Sequence, residues 1–173
     1  MASMFERSGR TLFPAGMIVS VEMLSPTFSA TSAARFSGRA SRTGSGLMFG
    51  PEGRLYACQS ETKKIVWYDR DAKPTVLAED VPCNDIMVDK KGGVYVTDMG
   101  GNQVWYVSPD GKKRVVASGF KPNGLTLWPD GGTLVVADWE SPHLQTFRVE
   151  PDGSLKFGEK YYGPLQIPTG QKL

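Results

Sequence analysis

The sequence predicts an all-β fold, and within that class a β-propeller of about three four-stranded blades. Three observations carry this. Leu47, Ile86 and Leu125 open apolar segments spaced 39 residues apart, each preceded by a small polar residue and a turn residue: Ser45-Gly46, Asn84-Asp85 and Asn123-Gly124. A later phase repeats as well, since Ile65 in IVWYD, Val104 in VWYVSPDG and Leu144 in LQTFRVEPDG lie 39 and then 40 residues apart. Val76 in TVLAE and Val115 in RVVAS are again 39 apart. A fixed period near 40 containing only strand signals means copies of one small sheet, stacked side by side.

The middle copy shows how one blade is written. IMVD (86–89) alternates apolar and polar residues, as a strand with one buried face should. KKGG (90–93) is a tight turn in which glycine supplies positive φ. VYVTD (94–98) is a second strand, MGGN a turn, and QVWYVSP (103–109) a third strand. PDGKK turns the chain into RVVAS (114–118), the fourth. Four antiparallel strands in about 39 residues match a propeller blade. The flanking copies repeat the strand–turn–strand opening in LMFGPEGRLYAC and LTLWPDGGTLVVAD, which sets blades at about 46–83, 84–122 and 123–162. Trp67 and Trp105 occupy corresponding third strands and read as blade packing. Helical periodicity is absent, which excludes helix–turn–helix repeats, and no Gly-His…Trp-Asp pairing marks a WD-type blade.

Composition narrows the function classes. Apolar residues make up 40% of the chain and charged residues 22%, ordinary for a globular domain. The net charge of +2 originates outside the repeats. Residues 1–45 hold five Arg and only two acids, Glu6 and Glu22, whereas 46–173 hold 15 basic and 16 acidic residues. A nucleic-acid binder carries its basic stripe on the folded part, so no nucleic-acid partner is expected. No apolar run is long enough to span a membrane as a helix.

Residues 1–45 read as a separate, Arg- and Ser-rich segment with no copy of the repeat, for which disorder is the expectation. LFPAGMIVSVEML resembles a signal-peptide core, yet Pro14 and Glu22 interrupt it. Acid-poor, Arg-rich composition also fits an organellar transit segment, or foreign sequence standing in place of a first blade. Cys58 and Cys83 fall at non-equivalent repeat positions and are expected to be free, buried thiols.

In a propeller the first strand of each blade lines the central channel. Ser45, Asn84 and Asn123, just ahead of those strands, therefore converge at one height around the axis. Oxygen-bearing side chains in a ring suit a hard cation such as calcium; Asn before Gly or Asp also forms a simple Asx-turn. Asp98 and Asp138 end equivalent second strands, with Gln59 at the third such position, and either face the pocket or cap the turns that follow. The single histidine, His143 in SPHLQ, reads as a surface residue.

PCNDIMVDKKGGVYVTD (82–98) and GFKPNGLTLWPDGGTLVVAD (119–138) resemble the senescence marker protein/gluconolactonase family, also called regucalcin-like. GLMFGPEGRLYAC (46–58) and VEPDGSLKFGEKYY (149–162) are similar to neighbouring blades of that family. The resemblance implies a six-bladed propeller with an axial divalent metal, often calcium, and hydrolysis of lactones or related esters. It implies a metal-ligand role for Asn123, and for Asn84 a place on the metal or the substrate; Asp98 and Asp138, by their position at the ends of the second strands, are the candidate substrate-binding residues. The family's acidic ligands, one in a Glu-Gly-Pro context and one in an Asp-Gly-Met-type segment, find no match; Glu22 in VEMLSP is not a substitute. The implied chemistry is metal-assisted hydrolysis. The alternative is a non-enzymatic propeller module that binds a small molecule or a protein. Three blades expose sheet edges, so self-association or a second chain completing the ring is a further expectation.

Overall fold

Each copy of the repeat forms one four-stranded antiparallel sheet, and the sheets follow one another in chain order. The computed structural model describes residues 44–161 and 163–164. The first sheet holds β1 (Gly44–Phe49), β2 (Leu55–Gln59), β3 (Lys64–Tyr68) and β4 (Pro74–Ala78), with a short 3-10 turn at Pro51–Gly53. The second holds β5 (Ile86–Val88), β6 (Val94–Asp98), β7 (Gln103–Val107) and β8 (Lys113–Ser118). The third holds β9 (Pro122–Leu127), β10 (Thr133–Asp138), β11 (Leu144–Val149) and β12 (Leu155–Tyr161). Each strand pairs with its sequence neighbours, so every sheet is a meander. These are propeller blades, and the strands read from the middle copy fall where the sequence puts them. The expectation of a disordered N-terminal segment concerns residues that, up to 43, lie outside the described ones.

The turns follow from their side chains. Between β5 and β6, Asp89 Oδ1 accepts the backbone N–H groups of Lys91 (2.7 Å) and Gly93 (2.9 Å), and Gly92 takes φ 86°. The β7–β8 turn is closed by Gly111 N–H donating to Ser108 O at 2.8 Å, and the β11–β12 turn by Gly153 N–H donating to Glu150 O at 2.9 Å. That last turn docks on the neighbouring sheet: Tyr95 donates its hydroxyl to Gly153 O at 3.0 Å. A Cβ on Gly153 would run into the Tyr106 ring, so glycine is required by space as well as by its φ of 82°.

Strand alternation sends each sheet's two faces into different cores. Tyr56, Cys58 and Ile65 of the first sheet pack with Val94, Val96 and Val107 of the second. The opposite face of the second sheet, with Tyr95, Val104 and Tyr106, packs on Leu134 and Val136 of the third. A separate cluster of Leu55, Ala57, Val66 and Tyr68 lies on the far face of the first sheet. Trp105 packs against the first of these cores, as the sequence suggests.

The expectation of two free thiols is corrected. Cys58 and Cys83 form a disulfide with Cα atoms 5.9 Å apart, within the range a disulfide spans. Cys58 sits near the end of β2 and Cys83 in the crossover from β4 to β5, which folds back beneath it. Both cysteines are buried, as expected. Because one partner lies on a strand and the other on a crossover, the repeat period gives no sign of the pairing.

Candidate functional site

The inner strands β1, β5 and β9 lie side by side, with β5 between the other two. Their openings are irregular in the same way. In β1 the register shifts between Gly44 and Gly46, which leaves Ser45 as the extra residue. In β9 Leu125 pairs with Val136 and Pro122 with Asp138, so Asn123 and Gly124 together oppose Ala137. Such bulges re-aim side chains and interrupt pairing beside functional sites. In the middle blade the same stretch, Asn84-Asp85, precedes a short β5 and is bound to the end of β6. Asn84 N–H donates to Thr97 O at 2.7 Å, Thr97 N–H to Asp85 O at 3.1 Å, and Asp85 N–H to Thr97 Oγ1 at 3.1 Å.

Gly46, Asp85 and Gly124 occupy one repeat position, and the single carboxylate reaches across all three blades. A Cβ placed on Gly46 would lie 3.0 Å from Asp85 Cα and from Asp85 Oδ1, and one on Gly124 would lie 3.8 Å from Oδ2. Asp85 Oδ1 accepts the N–H of Ile86 at 2.9 Å, and Oδ2 accepts the N–H of Leu125, in the next blade, at 3.2 Å. Burial raises the Asp85 carboxyl above its ordinary range, against the opposing pull of those two N–H donors. Gly46 makes room for it, whereas a Cβ at Gly124 would stand at ordinary contact distance. Asp85 was legible only as a turn residue, although a carboxylate where both flanking repeats carry glycine is a signal in itself.

Asn84 and Asn123 stand immediately before this layer. Both are partly exposed, and their side chains form no hydrogen bond with any described residue. Ser45 is exposed and contacts Ser60 through its hydroxyl. Asp98 and Asp138 are engaged as turn caps. Asp98 is buried and accepts Gly101 N–H at 2.8 Å. Asp138 Oδ1 accepts the N–H groups of Lys121 and Glu140, both at 3.3 Å, and Oδ2 accepts Gln145 Nε2 at 3.4 Å. His143 is part-buried, its backbone N–H donating to Ser141 Oγ at 3.3 Å.

Calcium takes about six to eight oxygen ligands, several of them carboxylates in tight sites. Among the described residues, no group of three or more His, Cys, Asp or Glu could hold a metal ion. Asn84 and Asn123 bring only neutral amides, and both Asp85 oxygens already accept backbone N–H groups. This donor set does not fit a calcium site without further carboxylates. What it offers is two amides that bond to no described residue, beside the partly buried Asp85 carboxylate and its partner Leu125.

The three four-stranded meanders have the architecture of a propeller of the gluconolactonase type. The profile of the SMP-30/gluconolactonase/LRE-like region matches residues 21–162, and the chain belongs to that family. No curated protein matches significantly. Among solved structures, a gluconolactonase from Xanthomonas campestris aligns with a TM-score of 0.59 and 23% identity, over 72% of this chain and 49% of its own. A putative gluconolactonase aligns with a TM-score of 0.56 and 19% identity, over 66% and 47%. A streptogramin B lyase aligns with a TM-score of 0.58 and 18% identity, over 70% and 41%. At these identities the likeness is one of fold. The chain spans less than half the length of each of these three.

Proposed function

We propose that this chain carries part of the site of a gluconolactonase-like hydrolase of lactones or related esters. Asn84 and Asn123 form its axial rim, and Asp85 holds the two blades in register beneath them. The reading rests on the Gly46–Asp85–Gly124 layer, where a partly buried carboxylate ties two openings while the adjacent amides bond to no described residue. Unengaged amides on a rigid support suit an oxygen-rich small molecule, because their orientation costs little on binding. A divalent metal, calcium first, belongs to the same proposal. It requires carboxylates beyond the described residues, and when bound it would polarise a lactone carbonyl. Asp98 and Asp138 keep lone pairs for a substrate hydroxyl while capping their turns.

The full chain should be assayed on a panel of aldonolactones and aryl esters by pH-stat, with calcium and with chelator, alongside thermal melts. Turnover of a lactone or ester that Asn123→Ala reduces, and a rise in Tm on adding that substrate that the same variant abolishes, are expected, since a ligand selective for the native state stabilises it. A folded chain with neither response overturns the hydrolase reading. That outcome would favour a non-enzymatic binding module, which the full engagement of the Asp85 carboxylate already suits.

A further inference from the structure

Three asparagines occur in the chain, at 84, 102 and 123, and only Asn123 is followed by glycine. An Asn side chain loses its amide when the backbone nitrogen of the next residue reaches its Cγ. A side chain on that next residue crowds the approach, and glycine has none. The setting of Asn123 in β9 leaves it open to this attack. The register shift places Asn123 and Gly124 together against Ala137, so one of the two is surplus to the ladder. Both residues are partly exposed, which admits water, and the Asn123 side chain bonds to no described residue. The other two asparagines are placed differently. Asn84 shares the unengaged amide, but the nitrogen that would attack it belongs to Asp85, which carries a side chain and donates its N–H to Thr97 Oγ1 at 3.1 Å. Asn102 precedes Gln103, which is paired with Asp98 on one side and Ser118 on the other.

We propose that Asn123-Gly124 is a deamidation site, at which one of the two amides is exchanged for a carboxylate. The Gly124 nitrogen bonds to Asn123 Cγ, and the Cγ–NH2 bond breaks. The side-chain nitrogen leaves as ammonia, taking the Gly124 amide proton, and a cyclic imide remains. Water opens the imide at Cγ to give aspartate, or at the main-chain carbonyl to give isoaspartate. The net change is one water consumed and one ammonia released, with no change of oxidation state. Either product adds a negative charge at the opening that Asp85 ties. Isoaspartate also threads the main chain through an extra methylene just before Leu125, whose N–H the Asp85 carboxylate accepts at 3.2 Å, and so breaks that tie. This chemistry does not depend on the hydrolase reading.

The purified full chain is aged in warm, mildly alkaline buffer, then digested with pepsin in acid and read by mass spectrometry. The Asn123 peptide should gain about 1 Da. It should do so about tenfold faster than the Asn84 and Asn102 peptides, because glycine alone leaves the attack uncrowded. Part of that peptide should become a substrate for an isoaspartyl methyltransferase. Gly124→Ala should keep the fold, because its Cβ would meet Asp85 Oδ2 at 3.8 Å, an ordinary contact distance. The same variant should slow the gain about tenfold. The Asp-Gly turns at 110–111, 130–131 and 152–153 can isomerise but gain no mass, so they do not enter the readout. In the isoaspartate-containing fraction, purified by chromatography, the Leu125 N–H should exchange faster than in fresh protein. Equal rates at the three asparagines overturn the proposal, as does an Asn123 that keeps its amide in the folded chain while losing it in urea. Unchanged Leu125 exchange overturns the loss of the tie.

Discussion

The Asp85 carboxylate of the second sheet accepts the Leu125 N–H of the third at 3.2 Å. Inner strands of adjacent blades do not share a hydrogen-bond ladder, so this is a side-chain tie between two sheets. It lies one residue from Asn84 and two from Asn123, where small shifts between blades would displace both amides.

Asp85→Ala should lower stability by about 2–3 kcal/mol, because it strands the N–H groups of Ile86 and Leu125. Urea melts of the two proteins measure the difference. An unchanged midpoint would mean the tie carries no energy.

The same residue gives a pH signature. Burial raises its carboxyl above the ordinary 3.8, so the folded chain holds that proton more tightly than the unfolded chain. Its stabilising share is fully present below 3.8 and is lost as pH rises through the raised native value. Asp85→Asn does not titrate. The stability of the parent relative to this variant should therefore shrink as pH rises across that window, in melts at matched ionic strength.

Removing the Cys58–Cys83 bridge, by reductant or by the double Ala variant, should cost about 3 kcal/mol, the scale for a loop closed over some 25 residues. That corresponds to a drop in Tm of roughly 10 °C for a chain of this size. Native, unreduced protein should resist alkylation by iodoacetamide.

Two turn glycines separate space from backbone conformation. Gly131 and Gly153 have φ of 78° and 82°, but a Cβ on Gly131 meets nothing within 4 Å whereas one on Gly153 strikes the Tyr106 ring. Gly131→Ala should cost about 1 kcal/mol, the left-handed penalty alone. Gly153→Ala should cost about 3 kcal/mol, with overpacking added. Equal costs would remove the steric part.

Asp98→Ala should cost about 1–2 kcal/mol by uncapping Gly101 N–H. Asn84→Ala and Asn123→Ala, which break no hydrogen bond to a described residue, should stay within about 0.5 kcal/mol of the parent. Thermal melts of the three variants, run without added metal, rank them.

Blade positions were legible because strand alternation and turn chemistry repeat at 39 residues: VYVTD became β6 and QVWYV became β7. The equivalence of Ser45, Asn84 and Asn123 at the openings of the inner strands was legible for the same reason. Asp85 was not, because its partner Leu125 is 40 residues away and the contact crosses blades. The disulfide escaped for a related cause, since neither cysteine has a cysteine at its repeat equivalent. Periodicity reports what copies share, whereas both of these features exist because one copy departs from the others.

The second sheet alone has described neighbours on both faces, and its central strand β6 is buried from end to end. At the other extreme, β12 is exposed along nearly its whole length. Position in the array thus acts as a weighting on every residue. The same side chain contributes more when its blade is flanked on two sides than when it stands at a margin. Tolerance to substitution should therefore be graded across the chain, lowest around Tyr95 and rising toward Phe157, even where the repeat makes the local sequences alike.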